Sequence, residues 1–162
     1  MGVMPVVAAG HAAWALGVAR SALDDIVELA AEKTRMGDET TLAHKLTFQR
    51  DLAHHEAMWR AARAGLVSLY EEVGRAVEGG AEVTATMRAD MRMSATYATE
   101  AAKEIVRFAH LAAGTTAIRE GSRLERSFRD LYTGSQHAFI NEKTYTDSAQ
   151  LMLGLIDDSL FL

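Results

Sequence analysis

Cysteine is absent from this 162-residue chain, and proline occurs once, at Pro5. The lack of cysteine excludes a disulfide framework, a thiolate metal site and a thiol nucleophile, and it fits a reducing compartment, so we expect a cytoplasmic protein. No proline ring interrupts a helix after Pro5. Aromatic residues make up only 7%, and alanine and leucine, which are strong helix formers, dominate the 49% hydrophobic share. The composition therefore predicts an all-α protein.

An excess of basic charge and a long hydrophobic run are also missing. The net charge is −5 and the pI is about 5.7, which gives no basic footprint for nucleic acid. The apolar residues 1–16 lack a basic leader and are interrupted by Gly10 and His11. No uninterrupted apolar run reaches the ~20 residues that a transmembrane helix needs. We therefore expect neither a nucleic-acid nor a membrane partner.

Hydrophobic periodicity predicts five helical segments. They cover residues 6–33, 42–77, 83–113, 123–132 and 135–155. Glycine-containing stretches separate the first three segments, and connections this short favour an up-down arrangement of neighbouring helices. We expect residues 1–162 to form a single domain, an up-down four-helix bundle with an additional short helix.

The densest polar feature is residues 119–130, with four arginines and three acidic residues. One interpretation is a solvated helix laced by i,i+3 and i,i+4 ion pairs, each contributing a few tenths of a kcal/mol. In the other, apolar residues bury one side and hold Arg126, Arg129 and Asp130 at a rim where ionic geometry is fixed. The spacing alone leaves both interpretations open.

Three stretches resemble one enzyme superfamily. Residues 112–130 are similar to the late signature of acyl-CoA dehydrogenases, a Gly-containing turn followed by an Arg-x-x-Arg-Asp helix, and residues 49–53 and 61–63 are similar to its Gln-x-x-Leu-Ala and Ala-Arg stretch. The resemblance is to the C-terminal helical domain and covers nearly the whole chain. Complete subunits of the superfamily also carry an N-terminal helical domain and a small β-domain, so the resemblance implies a fragment or a stand-alone bundle.

Two branches of the superfamily differ after the Arg-Asp pair. Dehydrogenases typically carry a catalytic glutamate eight residues later, where this chain has Ala138, which is no base. The flavin-dependent monooxygenase branch carries a histidine near the reactive edge of the flavin, and Gln136-His137 resembles that ending. The resemblance implies that His137 is catalytic, since an imidazole donates hydrogen bonds and moves protons near pH 7.

The expected function is therefore that of the C-terminal domain of a two-component monooxygenase, an oxidoreductase that acts on an aromatic or polycyclic substrate. An acyl-CoA dehydrogenase domain is the alternative enzyme. A non-catalytic bundle used for self-assembly or protein binding is the alternative of a different class. The resemblance implies FAD or FMN as cofactor, which this chain alone is not expected to retain, and a flavin reductase as partner of the full enzyme.

The resemblance also implies cofactor contacts. Residues 32–37 resemble the turn whose basic residue reaches the flavin pyrophosphate. The implied cofactor-binding residues are Lys33, Arg35, His110, Gly114, Arg126 and Arg129. Because the superfamily shares each flavin between subunits, a homo-oligomer, dimer or tetramer, is expected. Its contact surface is predicted at Leu151, Leu155, Ile156 and the apolar tail 160–162.

A rival polar cluster lies on the second predicted helix. Asp51 and His54 share a helix face, as in one half of a carboxylate-bridged di-iron site, with His55 and Glu56 beside them. No Glu-x-x-His follows on the third or fourth helix to complete it. We therefore expect no bound metal.

Overall fold

The computed structural model describes residues 3–159, which fold into five α-helices without a β-strand. The helices are α1 (Val3–Glu32), α2 (Leu46–Glu78), α3 (Ala85–Ala113), α4 (Arg123–Gly134) and α5 (Lys143–Met152). Short 3₁₀ turns precede α2 (Leu42–His44) and follow α3 (Gly114–Thr116). The prediction of an all-α bundle is confirmed.

Two hydrogen bonds fix the first two helices antiparallel. The Tyr70 hydroxyl donates to the Pro5 carbonyl oxygen at 2.7 Å, and Trp59 Nε1 donates to the Leu16 carbonyl oxygen at 2.9 Å. Later residues of α2 therefore meet earlier residues of α1. Burial raises the pKa of the Tyr70 hydroxyl to about 12, so it stays a neutral donor at physiological pH.

Helices α1 and α3 run parallel and form the centre of the bundle. His11, in the first third of α1, faces Thr99 at the middle of α3, and Lys33 bonds Thr116 just beyond the ends of both helices. Both helices present a face of buried alanine, which lets the two backbones approach closely. The fully buried alanines of this contact include Ala8, Ala12, Ala15, Ala19, Ala22, Ala95, Ala98, Ala102 and Ala109.

The fourth position of the bundle is shared by two short helices. Phe128 of α4 packs on His110 near the end of α3, with ring centroids 4.5 Å apart. Further along the chain, the Tyr145 hydroxyl of α5 donates to Glu100, nearer the start of α3, at 2.8 Å. α4 and α5 therefore follow one another antiparallel to α3, and residues 135–142 connect them.

The prediction of one last helix over residues 135–155 is wrong at both ends. Residues 135–142 form successive turns, in which the His137 amide bonds Gly134 and the Ile140 amide bonds His137, and helix α5 begins only at Lys143. It ends at Met152, because Gly154 adopts a φ of 68°. Of the predicted contact surface, Leu155 and Ile156 lie beyond this helix, and residues 160–162 lie outside the described part of the chain.

The second predicted helix also begins later than expected. The segment 42–44 is a 3₁₀ turn closed by a hydrogen bond from the Leu42 amide to the Lys33 carbonyl oxygen, 2.7 Å. Leu42 is buried by this turn, whereas Leu46, which opens α2, is exposed. The apolar residue that anchors the connection thus precedes the helix.

Within residues 3–159, only α1 combines the length and apolar composition that would allow a helix to cross a membrane. The core helix of a bundle passes the same test, and α1 packs against α2, α3 and α4. The absence of a membrane partner remains a prediction from sequence.

Candidate functional site

The predicted catalytic residue, His137, lies in the connection between α4 and α5. Its side chain is exposed, and its ring lies between those of His11 (5.4 Å between centroids) and Phe139 (5.2 Å). The Phe139 amide donates a hydrogen bond to His137 Nδ1 at 3.2 Å. Because Nδ1 accepts this bond, neutral His137 carries its proton on Nε2. The Nε2–H is then a donor for a molecule bound at this surface.

His11, on α1, contacts the start of this connection. Its Nε2 donates to the Gly134 carbonyl oxygen at 2.9 Å, and its Nδ1 lies 3.4 Å from the Thr99 hydroxyl. Trp14 packs one turn further along α1, with its ring at 68° to that of His11 and the outer atoms of its six-membered ring, Cη2 and Cζ3, against Gly134. A Cβ atom at position 134 would overlap the indole ring, which explains the glycine there.

A shallow groove of about 420 Å³ begins at Trp14 and runs between α1 and α4. It is lined by Trp14, Gly17, Val18, Ser21, Arg126, Ser127 and Asp130. The indole, 40% exposed, gives the groove an aromatic wall, and His11 packs between this indole (5.2 Å between ring centroids) and His137 (5.4 Å). The groove therefore offers an apolar face and the cation Arg126, and His11 links its aromatic wall to the candidate catalytic histidine.

Arg126 and Arg129, both predicted to bind the cofactor, have different surroundings on α4. Arg126 is exposed and faces the groove. Arg129 lies 3.3 Å from Glu125 and 3.9 Å from Asp130, so it belongs to the solvated ion pairs of the helix surface. The ion pairs of Arg129 agree with the interpretation of a solvated helix surface, and both cofactor assignments remain predictions.

Lys33 and Arg35 come together with the turn after α3. Lys33 Nζ donates to the Thr116 hydroxyl at 2.8 Å, and the Arg35 guanidinium lies 3.5 Å from the Ala112 carbonyl oxygen. Gly114, with a φ of 54°, makes the turn that presents Thr116. Two cations and a hydroxyl in one place suit a diphosphate, because each donates hydrogen bonds to anionic oxygen.

His110, the remaining predicted cofactor residue, lies one turn before Gly114. Its ring packs on Phe128 at 4.5 Å and is half-buried between α3 and α4. Packing therefore accounts for one face of this ring.

A larger cleft of about 630 Å³, which sequence analysis did not predict, lies between α2 and α3. Arg35 lies at its rim, and His55 forms part of its wall, stacked on Phe108 with centroids 4.2 Å apart and bonded through Nδ1 to the Asp51 carbonyl oxygen at 2.6 Å. Hydrogen bonds from Arg107 lower the pKa of Glu104, the acid at this wall. The α3 partners of His55, Phe108 and Glu104, are about 50 residues away in sequence, so helical periodicity did not connect them with it.

The two groups of predicted site residues are far apart in one chain. His11 and Lys33 are 22 positions apart on α1 and its end, which corresponds to about 33 Å at 1.5 Å per residue. The structure thus brings His137 together with Trp14 and His11, and separately Lys33 with Arg35 and Thr116. It does not bring His137 to Lys33.

Comparison with known proteins identifies the family. The family model described as acyl-CoA dehydrogenase, C-terminal domain, matches residues 9–142. The chain belongs to this family. Indole-3-acetate monooxygenase from Pseudomonas putida is 32% identical over 139 residues, and the protein of the same name from Acinetobacter baumannii is 28% identical over 140 residues. Each match covers 86% of this chain and 36% of the relative, so the chain spans about a third of the length of these relatives.

Solved structures of this family share the helical fold. The 3-HSA hydroxylase from Rhodococcus sp. RHA1 superposes with a TM-score of 0.89 at 23% identity, covering 100% of this chain and 42% of that protein. XiaF from Streptomyces sp., solved in complex with FADH2 and glycerol, gives 0.90 at 19% identity, covering 98% and 41%. Butyryl-CoA dehydrogenase from Megasphaera elsdenii gives 0.76 at 22% identity, covering 93% and 37%. At these identities the likeness concerns the fold.

The acidic residues of the rival polar cluster on α2 pair with arginines. Asp51 pairs with Arg50, and Glu56 accepts hydrogen bonds from Arg20 and Arg60, which lower the pKa of its carboxyl. Over residues 3–159, no three histidine or acidic side chains converge in a metal-binding arrangement. The acids of this helix face thus form ion pairs on the surface.

Proposed function

We propose that this chain is the helical part of a flavin-dependent monooxygenase that acts on an aromatic substrate. The observation that carries the proposal is His137, which exposes an Nε2–H and packs on His11, whose ring also packs on Trp14, the aromatic wall of the groove. The 32% identity to an indole-3-acetate monooxygenase supports an aromatic, carboxylate-bearing substrate class. Ala138, at the position of the dehydrogenase glutamate, offers no proton acceptor and weighs against the dehydrogenase alternative.

In this proposal the flavin, taken to be FAD, supplies the activation of dioxygen when bound. His137 donates a hydrogen bond from Nε2 to an oxygen atom of the reacting group, and its ring stays neutral because Nδ1 accepts the Phe139 amide. Trp14 excludes water from one side and orients a planar substrate along the groove. Arg126, at the far side of the groove, attracts a substrate carboxylate.

Lys33 and Arg35 bind the phosphates of a second flavin, whose ring lies in a neighbouring subunit. The 33 Å separation of the two groups along α1 is the reason for assigning them to different cofactors. The proposed enzyme is accordingly a homo-oligomer that receives reduced flavin from a reductase partner.

The test uses the natural gene product that contains this chain, supplied with FAD, a flavin reductase and a panel of aromatic acids including indole-3-acetate. We expect oxygen incorporation into an aromatic acid, detected by mass spectrometry with labelled dioxygen. The variant His137→Gln should form hydrogen peroxide instead of product, with about a 10-fold loss in the product fraction, the size of effect that one well-placed hydrogen bond supplies.

His44→Gln is the matched control, because His44 is an exposed histidine that precedes α2. It should leave the product fraction unchanged. Oxidation of acyl-CoA esters without oxygen incorporation would instead support the dehydrogenase alternative. A gene product that binds flavin but oxygenates no member of the panel would contradict the proposed substrate class.

A further inference from the structure

The connection that carries His137 is held at both ends by side chains from other helices. At its start, His11 Nε2 donates to the Gly134 carbonyl oxygen at 2.9 Å. Near its end, the Arg92 guanidinium of α3 donates to the Phe139 carbonyl oxygen at 3.0 Å. These two carbonyl groups bracket His137, three residues before it and two residues after it.

We propose that His11 and Arg92 are positioning residues that fix the tautomer and direction of the His137 imidazole. The tautomer itself is a property of this chain, and its importance for catalysis rests on the proposed function. Neither side chain needs to touch the substrate for this role, since each acts through a backbone carbonyl.

The start of the connection is fixed because the Gly134 carbonyl oxygen accepts two hydrogen bonds. One comes from His11 and the other from the His137 backbone amide at 3.0 Å. A carbonyl oxygen has two lone pairs, so both are used. The Trp14 ring against Gly134 restrains the same residue by contact. The backbone of His137 is therefore tied to α1.

The end of the connection is fixed by a buried cation. Arg92 is 2% exposed, and the same nitrogen that bonds Phe139 also donates to the Thr144 hydroxyl of α5 at 3.0 Å. Burial lowers the pKa of the guanidinium, and the negative charge of Asp147 opposes this change. A buried arginine that loses a hydrogen bond is costly, which makes this geometry stiff.

The two restraints meet at the Phe139 amide. With the Phe139 carbonyl held by Arg92, and the backbone of His137 held through Gly134, the Phe139 N–H keeps its direction toward His137 Nδ1 at 3.2 Å. That bond excludes a proton from Nδ1 of the neutral ring and leaves the proton on Nε2. Loosening either restraint should therefore release the tautomer.

The test measures the ring ¹⁵N chemical shifts of His137 by NMR in the histidine-labelled 162-residue chain, assigned by comparison with His137→Gln. In the unsubstituted chain the neutral ring should be mostly the Nε2–H tautomer. His11→Phe keeps an aromatic ring but lacks the donor, and Arg92→Met keeps the length but lacks the donors. Each should lower the ratio of Nε2–H to Nδ1–H by about 2- to 10-fold, the range that one hydrogen bond supplies.

Conservative variants separate positioning from general damage. His11→Gln carries an amide donor that reaches the place of Nε2, and Arg92→Lys keeps a charge and a donor, so both should restore most of the ratio. Thr146→Val is the control, because Thr146 is exposed on α5 and its side chain bonds neither Arg92 nor the connection, and it should leave the ratio unchanged. Circular dichroism identifies any variant that fails to fold, and if Arg92→Met fails, His11→Phe decides the proposal alone.

An unchanged tautomer ratio in folded His11→Phe would overturn the proposal, and so would an equal change in Thr146→Val. This outcome is independent of the gene product's oxygenase activity. A released tautomer in a protein that oxygenates nothing would uphold the positioning and contradict the proposed function alone.

Discussion

At the scale of single residues, Gly134 is the glycine of residues 3–159 with the least room for a side chain, because the Trp14 ring lies where a Cβ atom would be. Gly134→Ala should destabilise the fold by about 1–3 kcal/mol, the usual cost of overpacking. It should also displace the indole, which urea unfolding followed by tryptophan fluorescence would detect in the midpoint and in the folded emission.

Gly65→Ala serves as the control for this substitution. Gly65 is exposed inside α2, and an added Cβ would meet nothing within 4 Å. Alanine there should stabilise the protein by roughly 0.5–1 kcal/mol, since it lowers the entropy of the unfolded chain. Equal effects of the two substitutions would contradict the contact between Gly134 and Trp14.

The buried acid Asp25 makes stability depend on pH. Burial raises the pKa of its carboxyl above the ordinary value, and the ion pair with Arg123 opposes this. The folded protein therefore favours the neutral, protonated carboxyl. This contribution to stability is fully present below the pKa that Asp25 has in the unfolded chain, and it is lost as pH rises through the higher pKa of the folded protein. Arg123→Gln removes the opposing charge and should cost about 1–2 kcal/mol at pH 7, a reduced figure because Arg123 is itself exposed.

Urea unfolding at pH 4 and pH 7 tests this prediction. The loss caused by Arg123→Gln should shrink at pH 4, where more of Asp25 is protonated. Arg119→Gln, at an exposed arginine in the preceding turn, should cost little at either pH. A loss that is independent of pH would mean that Arg123 stabilises the fold through packing alone.

At the scale of elements, the start of α3 depends on one side chain. The Thr84 hydroxyl accepts the Met87 amide at 3.1 Å, which caps the helix. Thr84→Ala should destabilise the protein by about 1 kcal/mol, whereas Thr84→Ser, which keeps the hydroxyl, should cost less than half of that. Hydrogen exchange at Met87 should be faster in the alanine variant only, and equal exchange in both would refute the cap.

The helices that the sequence predicted well are those with a local signal at each end. For α3 the signals are Thr84 before the helix and Gly114 after it, and the predicted 83–113 lies within two residues of the observed bounds. The region after α4 carries no comparable stop signal, and Ser135 continues a helical backbone. Helix formation ends there through hydrogen bonds to His11 and Arg92, which lie 123 and 47 residues away from their partners. No local pattern contains that information.

The residues of the candidate site also fall into those that a local sequence pattern indicates and those that it does not. His137 was found through a motif, and Lys33 and Arg35 through a resembling turn, because each is encoded in a few adjacent residues. His11 entered the sequence argument only as an interruption of an apolar run, and Arg92 did not enter it. Both act on a distant backbone carbonyl, and such a contact exists only once the helices are packed.

At the scale of the whole molecule, the apolar surface beyond α5 predicts self-association. Met152, Leu153 and Leu155 are each about 70% exposed, and they replace Leu151 and Ile156, which are half-buried, as the predicted contact. Burying such side chains contributes about 1.5–3 kcal/mol each, enough for a few to offset the entropic cost of association. Sedimentation at micromolar concentration should report at least a dimer.

Leu153→Glu combined with Leu155→Glu should shift the sedimentation to the monomer. Met36→Glu is the control, because Met36 is fully exposed in the connection between α1 and α2, away from this surface. A chain that is monomeric without any substitution would refute the family-based argument for an oligomer. Dissociation by Met36→Glu would move the contact to the opposite end of the bundle.

Because two short helices, α4 and α5, fill the fourth position of the bundle, we expect partial unfolding to begin there. Helices of 12 and 10 residues are too short to persist alone, whereas α1, α2 and α3 are each about 30 residues long. Partial unfolding should therefore begin with residues 123–159, leaving a three-helix remainder, and amide exchange would record this as one cooperative unit of lower protection. His137 belongs to the part that opens, and His11 and Trp14 to the part that stays. A ligand held between them would bind only the closed form and would slow exchange throughout that unit.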